Sequence, residues 1–179
     1  MSSDTRLSKF LSLVLRHNPA AAHITLDDSG WCSIDSLLAG AARANRPLTR
    51  DALLRIVASS DKQRFAISED GLRIRASQGH SIEVDLNLAS LAPPTLLYHG
   101  TFPAAIDPIR REGLRKMARH HVHLSADTET AARVGQRRGQ PIILTIRAAA
   151  LHAAGSPFYR STNGVWLVDA VPPSFIDFP

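Results

Sequence analysis

Cysteine is nearly absent from this 179-residue chain, which contains only Cys32. One thiol cannot form an internal disulfide, and it cannot supply the paired thiolates of a cysteine-based zinc site. Long apolar runs are also missing, and the first charged residues are not followed by the apolar segment of a secretory signal. We therefore predict a protein of the reducing cytoplasm that has no membrane contact.

Several common catalytic motifs are missing as well. The sequence contains no Gly-x-Gly-x-x-Gly fingerprint, no Walker lysine motif and no Gly-x-Ser-x-Gly elbow. His120, His121 and His123 lie close together, but their spacing fits no common zinc pattern and no carboxylate lies nearby. We predict no metal, and these absences exclude Rossmann-type and P-loop phosphate binding.

What the sequence does contain is a net positive charge and enough apolar residues for a core. The formal charge is +5, and 44% of the residues are hydrophobic. A basic chain of this kind favours an anionic partner, with a nucleic acid or a nucleotide foremost. The hydrophobic fraction excludes a disordered tail.

The first half of the chain has the pattern of three helices followed by a hairpin. A stripe of apolar residues predicts a helix from Ser3, and further helix starts lie at Ser33 or Asp35 and at Thr49. Alternation around Asp70-Gly71 then predicts a hairpin. This is the order of a winged-helix module, although the third helix is not rich in basic residues, so a general DNA reader is not favoured.

The second half has the pattern of short strands with two helices among them. We predict helices over 103–112 and 127–138, and strands near 96–98, 121–125 and 142–146. Asn163-Gly164 predicts a further hairpin, and a short strand closes the chain. Before this half, residues 82–84 look strand-like and residues 85–94 resemble a linker. The fold class predicted is α+β.

The end of the first predicted helix carries the sequence Leu15-Arg16-His17-Asn18-Pro19. Proline cannot continue the helix, so Arg16 and His17 lie at its last turn. Arginine presents a planar fork that suits a phosphate, and histidine can transfer a proton near neutral pH. The same residues can also simply cap the helix, because its dipole favours cations there. The pair alone leaves both interpretations open.

Several segments together resemble one family, the NAD-dependent RNA 2′-phosphotransferases, and they span nearly the whole chain. The segments, in order, are LSKFL from Leu7, LRHNP from Leu15, Leu26-Asp27 with Gly30-Trp31, KQRF from Lys62, IRASQGHS from Ile74, YHGT from Tyr98, HVHLS from His121 and NGVWL from Asn163. Each motif is weak by itself, and their common order makes the resemblance specific.

The resemblance implies an N-terminal winged-helix lobe over 1–84, a linker over 85–94, and a β-rich, ADP-ribosyltransferase-like lobe over 95–179, with NAD in the cleft. It implies a set of site residues in three groups. They are the catalytic tetrad Arg16, His17, Arg64 and Arg119; the NAD-binding residues His99, Gly100, Thr101, His123 and Ser125; and the substrate-binding residues Lys62, Arg75 and His80. The last two of these would either contact RNA or stabilise the hairpin region. The partners implied are RNA bearing a 2′-phosphate and NAD, and we expect a monomer.

The reaction implied by the resemblance has two steps. The RNA 2′-phosphate attacks the anomeric carbon of the nicotinamide ribose and expels nicotinamide. The ribose 2″-hydroxyl then attacks the phosphorus, which releases RNA with a 2′-hydroxyl and ADP-ribose 1″,2″-cyclic phosphate. Arginines would bind the phosphate charge, and His17 would move a proton or position the hydroxyl.

Two other functions remain as alternatives at this point. One is an ADP-ribosyltransferase that caps the terminal phosphates of a nucleic acid and stops after the first step. The other is a winged-helix regulator that binds nucleic acid without catalysis. The segment from Thr162 to Trp166 has no acidic residue, which argues against ADP-ribosylation of a neutral side chain, since such an acceptor needs a base.

Overall fold

The computed structural model describes residues 3–60, 63–136 and 139–179. The chain divides into two compact units, Met1–Asn87 and Leu88–Pro179. Each unit combines helices with small antiparallel sheets, which confirms the predicted α+β class. In the described part of the chain, no helix is both long and apolar enough to cross a membrane.

The helices of the first unit are α1 (Ser3–Arg16), α2 (Ile34–Arg43) and α3 (Arg50–Ala58). Of the two starts predicted for α2, Ser33 is the cap, since its side chain accepts a hydrogen bond from Ser36 N at 3.4 Å. The predicted cap Thr49 is confirmed, since its side chain accepts one from Ala52 N at 3.2 Å. These bonds satisfy backbone donors that a helix start otherwise leaves without partners. The core of the unit forms where the apolar stripe of α1 meets α2, α3 and the sheet.

The sheet of the first unit contains β1 (Cys32–Ser33), β2 (Phe65–Ile67) and β3 (Arg73–Ala76), in the order β1-β3-β2. Strands β2 and β3 pair antiparallel, so the predicted hairpin is confirmed. The prediction of a strand at 82–84 is wrong, because these residues are not in a strand. Backbone bonds from Ser81 N to Arg16 O and from Asp85 N to Asp28 O hold this segment, without a strand partner, and Val84 is buried.

The thiol of Cys32 lies inside this core, with 4% of its surface exposed. Burial, together with a smaller contribution from the nearby Asp27 carboxylate, raises the pKa of this thiol to about 12. Because the thiolate is the reactive form, we expect iodoacetamide to modify the native protein about 10³-fold more slowly than the unfolded protein at pH 8. Mass spectrometry of samples labelled with and without guanidinium measures this ratio. Rapid labelling in native buffer would contradict the burial of the thiol.

The second unit is built from short strands and three described helices. The strands are β4 (Leu97–Thr101), β5 (Leu114–Arg115), β6 (Val122–Leu124), β7 (Ile142–Ile146), β8 (Phe158–Arg160), β9 (Trp166–Val168), β10 (Ala170–Val171) and β11 (Ile176–Asp177). The helices are α4 (Ile106–Glu112), α5 (Thr128–Gly135) and α6 (Ala148–Ala153). The strands pair antiparallel in the orders β11-β7-β4, β6-β9-β8 and β10-β5 around one apolar core.

Most elements predicted for this unit are confirmed, including the hairpin around Asn163-Gly164, where β8 pairs with β9. The helix predicted over 127–138 starts as expected, because the Asp127 side chain accepts a hydrogen bond from Thr130 N at 2.7 Å. Residues 137 and 138 lie outside the described residues. Helix α6 was not predicted, since its alanine-rich sequence is too short to show a helical period.

Helix α5 packs directly on strand β4 at Gly100. A Cβ atom at this position would overlap the carbonyl oxygen of Ala131, and it would stand 3.0 Å from Gly135 N. Only glycine permits an approach this close. Packing of the helix therefore fixes the strand segment that contains His99 and Thr101.

Candidate functional site

In the first unit, the chain changes direction immediately after α1. The backbone N–H groups of His17 and Asn18 both donate to Leu13 O at 2.9 Å, which closes the helix. The Asn18 side chain then accepts a hydrogen bond from Ala21 N and caps a 3-10 helix over Pro19–Ala22. The helix thus ends where the proline predicted, and it leaves His17 exposed at the turn.

Arg16 and Arg64 are neighbours in the structure. Arg16 Nη2 donates to Arg64 O at 3.2 Å, and the guanidinium carbon of Arg16 lies 6.0 Å from the centre of the Phe65 ring. The same Arg64 carbonyl accepts a bond from Ser77 N at 2.9 Å, so the segment before β2 is tied to both α1 and β3. The two predicted catalytic arginines of this unit are therefore brought together, and both are half-buried.

Ser81 holds the end of α1 through two hydrogen bonds. Its backbone N–H donates to Arg16 O at 2.9 Å, and its Oγ lies 2.8 Å from His17 Nδ1. Gly79, with φ at +86°, provides the left-handed turn that brings Ser81 to this position. The contact fixes the imidazole through Nδ1, so Nε2 is the ring nitrogen that Ser81 does not use.

The predicted substrate-binding residues of the first unit occupy different environments. His80 is buried, with 2% of its surface exposed, and its Nε2 lies 3.4 Å from the position that a Cβ on Gly30 would take. This geometry favours the stabilising role for His80, and RNA contact stays a prediction. Lys62 lies outside the described residues.

Arg75 is half-buried and already engaged within the fold. Its guanidinium lies 4.6 Å from the centre of the Trp31 ring, and its Nη1 donates to Ser29 O at 3.4 Å. Burial lowers the pKa of Arg75, and the nearby Asp27 opposes this effect. The stacked geometry explains how Arg75 stabilises β3, and its contact with RNA stays a prediction.

In the second unit, the ends of β4 and β6 meet. Tyr98 N donates to Ser125 O at 2.9 Å, and Ser125 N donates to Tyr98 O at 2.8 Å. This reciprocal pair joins the two segments in which the five NAD-binding residues were predicted. The structure therefore brings His99, Thr101, His123 and Ser125 to one region of the unit.

The side chain of His99 has a fixed tautomer. Its Nδ1 lies 3.1 Å from the carbonyl oxygen of His123. A carbonyl can only accept, so Nδ1 carries the proton and Nε2 is an acceptor in the neutral ring. Burial lowers the pKa of His99, and the bond to the His123 carbonyl opposes this shift. At neutral pH the ring therefore presents an acceptor, which suits a hydroxyl donor such as that of a ribose.

Arg119 belongs to the same region. Its Nη1 lies 3.1 Å from His123 Nδ1. Because a guanidinium only donates, His123 Nδ1 accepts and the proton of the neutral ring is on Nε2. The backbone of Arg119 is held by a hydrogen bond from its N–H to Lys116 O at 2.8 Å, and its side chain is exposed. The exposed guanidinium thus lies beside the predicted NAD-binding residues.

The described side chains contain no group of three or more histidine, cysteine, aspartate or glutamate residues arranged to hold a metal ion. The two polar regions described above are thus built from arginine, histidine and hydroxyl groups. Arginine side chains are able to bind anions, and a histidine side chain is able to take up or release a proton near neutral pH.

A family model described as "RNA 2′-phosphotransferase, Tpt1 / KptA family" matches residues 2–170. The chain belongs to this family. The resemblance inferred from the sequence motifs is therefore confirmed. All residues of the two polar regions lie inside the matched range.

Curated relatives support the same membership. The probable RNA 2′-phosphotransferase of Rhodopirellula baltica is 54% identical over the full length of both chains. That of Hahella chejuensis is 56% identical over 94% of this chain and 91% of its own length. That of Streptomyces griseus is 52% identical over 96% of this chain and 94% of its own length. The match to these family members therefore includes both units.

Ser81 is the residue of the site that the sequence analysis missed. It belongs to the motif from Ile74 to Ser81, so the family resemblance already pointed to the segment. Its contact with His17 joins residues 64 positions apart, and no local pattern reports such a contact. In this member of the RNA 2′-phosphotransferase family, the Ser81 hydroxyl is the group that orients the His17 imidazole.

Proposed function

We propose that the protein is an NAD-dependent RNA 2′-phosphotransferase that removes an internal 2′-phosphate from RNA of the kind left at a tRNA splice junction. The observation that carries the proposal is the grouping of Arg16, His17 and Arg64 at one helix end, where Arg16 is bonded to the Arg64 carbonyl. Family membership supports the phosphotransfer. We also propose that the first unit is a winged-helix module and that the second resembles the ADP-ribosyltransferases.

The first step joins the RNA 2′-phosphate to the ribose. A phosphate oxygen forms a bond to the anomeric carbon, and the bond from that carbon to nicotinamide breaks. The phosphate is already an anionic nucleophile, so no base is required. Arg16 and Arg64 would bind its charge through paired hydrogen bonds, which fix its position for attack.

The residues of the second unit have properties that fit the ribose of NAD. His99 Nε2 is an acceptor for a ribose hydroxyl, and His123 Nε2–H is a donor. Gly100 contributes through packing rather than through a ligand contact, because a side chain at this position would overlap the carbonyl oxygen of Ala131. NAD supplies an electrophilic carbon and a good leaving group, and these side chains would hold its ribose.

The second step moves one proton. The ribose 2″-hydroxyl forms a bond to phosphorus and loses its proton, and the bond from phosphorus to the RNA 2′-oxygen breaks. That oxygen takes up a proton, so the step is balanced. His17 is the proton-handling group or the positioner of the hydroxyl, and Arg119 would stabilise the charge that builds on the phosphoryl oxygens.

The segment between β8 and β9 lacks a carboxylate, which is compatible with an acceptor that is already an anion, such as a phosphate. Ser161 Oγ donates to Asn163 Oδ1 at 2.6 Å within the turn, and the segment from Thr162 to Trp166 contains no acid. An acceptor that is already ionised needs no carboxylate to activate it.

An RNA oligonucleotide with one internal 2′-phosphate, incubated with NAD and the purified chain, tests the proposal. We expect three products: RNA with a 2′-hydroxyl, nicotinamide and ADP-ribose 1″,2″-cyclic phosphate, identified by mass spectrometry. The same oligonucleotide without the 2′-phosphate is the control and should consume no NAD. Stable ADP-ribosylated RNA as the final product would instead indicate a capping transferase. Binding of RNA without NAD consumption would indicate a regulator.

A further inference from the structure

A groove of about 520 Å³ runs along α1 in the first unit. His17 and Arg64 line it, together with residues of α1 and of the end of α3. The other residues that line the groove are not among the predicted catalytic, NAD-binding or substrate-binding residues. The groove therefore continues beyond the side chains proposed to bind the transferred phosphate.

The groove is lined by hydroxyl side chains, by the cations Lys9 and Arg64, and by apolar surface. Ser8, Lys9 and Ser12 of α1 face Ser59 and Ser60, which follow α3. Ser12 follows Lys9 by three residues and Ser8 by four, so the three side chains share one side of the helix. Lys9 is exposed, and it precedes His17 by about 12 Å along the helix axis at 1.5 Å per residue.

The charge of the groove favours an anion. Its one acidic lining residue, Asp4, forms an ion pair with Arg55 at 3.3 Å. Lys9 and Arg64 add positive charge, and serine hydroxyls donate hydrogen bonds to phosphate oxygens. Leu13 and Ile56 also line the groove and offer apolar contact, which suits a sugar between two phosphates.

We infer that this groove binds the phosphodiester backbone of the nucleotides that flank the 2′-phosphorylated nucleotide. The inference rests on the proposed function and extends it to a longer RNA segment. The diphosphate of NAD is the competing occupant. RNA is favoured because the residues with the properties expected for NAD binding belong to the second unit, whereas every lining residue of the groove belongs to the first.

The test compares Lys9→Gln with the wild type on two substrates. One is an oligonucleotide with an internal 2′-phosphate, and the other is a single nucleotide that carries the 2′-phosphate. For the oligonucleotide we expect a KM increase of about 10-fold, the size of one charge-assisted hydrogen bond, with kcat unchanged. The slope of log KM against log salt should fall by about 0.7, the value for one phosphate of a single strand. KM for the single nucleotide and KM for NAD should not change.

Arg46→Gln is the matched control, because it removes the same charge from an exposed position outside the groove. Its KM for the oligonucleotide should remain that of the wild type. Equal effects of the two variants would overturn the inference, since they would indicate general charge attraction. A change in KM for NAD with Lys9→Gln would assign the groove to the diphosphate and would also overturn it.

Direct binding keeps this test independent of the proposed reaction. Fluorescence anisotropy with a labelled oligonucleotide, without NAD, should show a Kd about 10-fold higher for Lys9→Gln than for the wild type and Arg46→Gln. Identical affinities would overturn the inference whatever the assay of turnover gives. If Lys9→Gln binds the oligonucleotide more weakly than the wild type and the wild type turns over neither substrate, the result supports RNA binding in the groove and rejects the proposed reaction.

Discussion

Replacement of His17 by alanine is expected to lower kcat by about 10²- to 10⁴-fold, the range for loss of a general acid–base group. His17 is exposed and follows the last turn of α1, so few packing contacts disappear with it. The midpoint of thermal unfolding should therefore stay within about 3 °C of the wild type, as is usual for surface substitutions. Steady-state turnover of the 2′-phosphorylated oligonucleotide and a melting curve measure the two quantities.

A second substitution at this position separates the two roles considered for the imidazole. His17→Asn retains a hydrogen-bonding side chain, but the amide cannot act as a general acid or base. If the histidine moves a proton, both variants should be similarly slow. Substantial turnover in His17→Asn would assign it to positioning. Wild-type turnover in His17→Ala would exclude both roles, and a melting point far below the wild type would identify a structural cap.

Ser81 offers an internal check of the same mechanism. Its Oγ lies 2.8 Å from His17 Nδ1, so Ser81→Ala should release the imidazole and lower kcat, whereas Ser81→Thr retains the hydroxyl and should restore most of the activity. The effect of Ser81→Ala should vanish in the His17→Ala background, because the serine acts through the histidine. Additive losses would show that Ser81 acts elsewhere.

Replacement of Arg119 by alanine is expected to slow the second step and to allow ADP-ribosylated RNA to accumulate. Loss of one donor that stabilises developing charge costs about 10²- to 10³-fold in rate. The substitution also removes the partner of His123 Nδ1, which lies 3.1 Å from the guanidinium. Gel electrophoresis of labelled RNA during a single turnover should reveal the slower-migrating intermediate, which then decays.

Arg115→Ala is the control for the charge of this segment. Arg115 is exposed and pairs with Glu112 at 3.4 Å, and a surface pair of this kind contributes little to stability. Its turnover should equal that of the wild type, without the intermediate. Arg119→Lys should retain part of the rate, because it retains the charge and loses the planar fork. Wild-type kinetics in Arg119→Ala would remove this residue from the phosphate-binding set.

Local signals in the sequence predicted much of the fold. Pro19 fixed the end of α1, and Ser33 and Thr49 marked the starts of α2 and α3, because caps and proline act within a few residues. The error at 82–84 has the opposite origin. An alternating pattern permits a strand, but a strand also needs a partner, and here the backbone donors of Ser81 and Asp85 bond to Arg16 and Asp28 instead.

The candidate site could be predicted only as separate segments. Motifs indicated Arg16-His17 and His99 to Thr101, but the contacts that organise them are distant in sequence. Ser81 reaches His17, and Tyr98 pairs with Ser125, through folding of the chain rather than through local periodicity. The strands β5 and β10 have two residues each, which is too short for any pattern to indicate them.

The close packing of α5 on Gly100 affects how variants of the His99-Gly100-Thr101 segment must be interpreted. A side chain at position 100 would push against a backbone carbonyl on the side of the helix, so the strand or the helix would have to shift. A Gly100 variant with weakened NAD affinity would thus report a displaced scaffold rather than a lost ligand contact. His99→Gln is the cleaner probe of recognition, since it alters the presented acceptor and leaves this helix–strand contact unchanged.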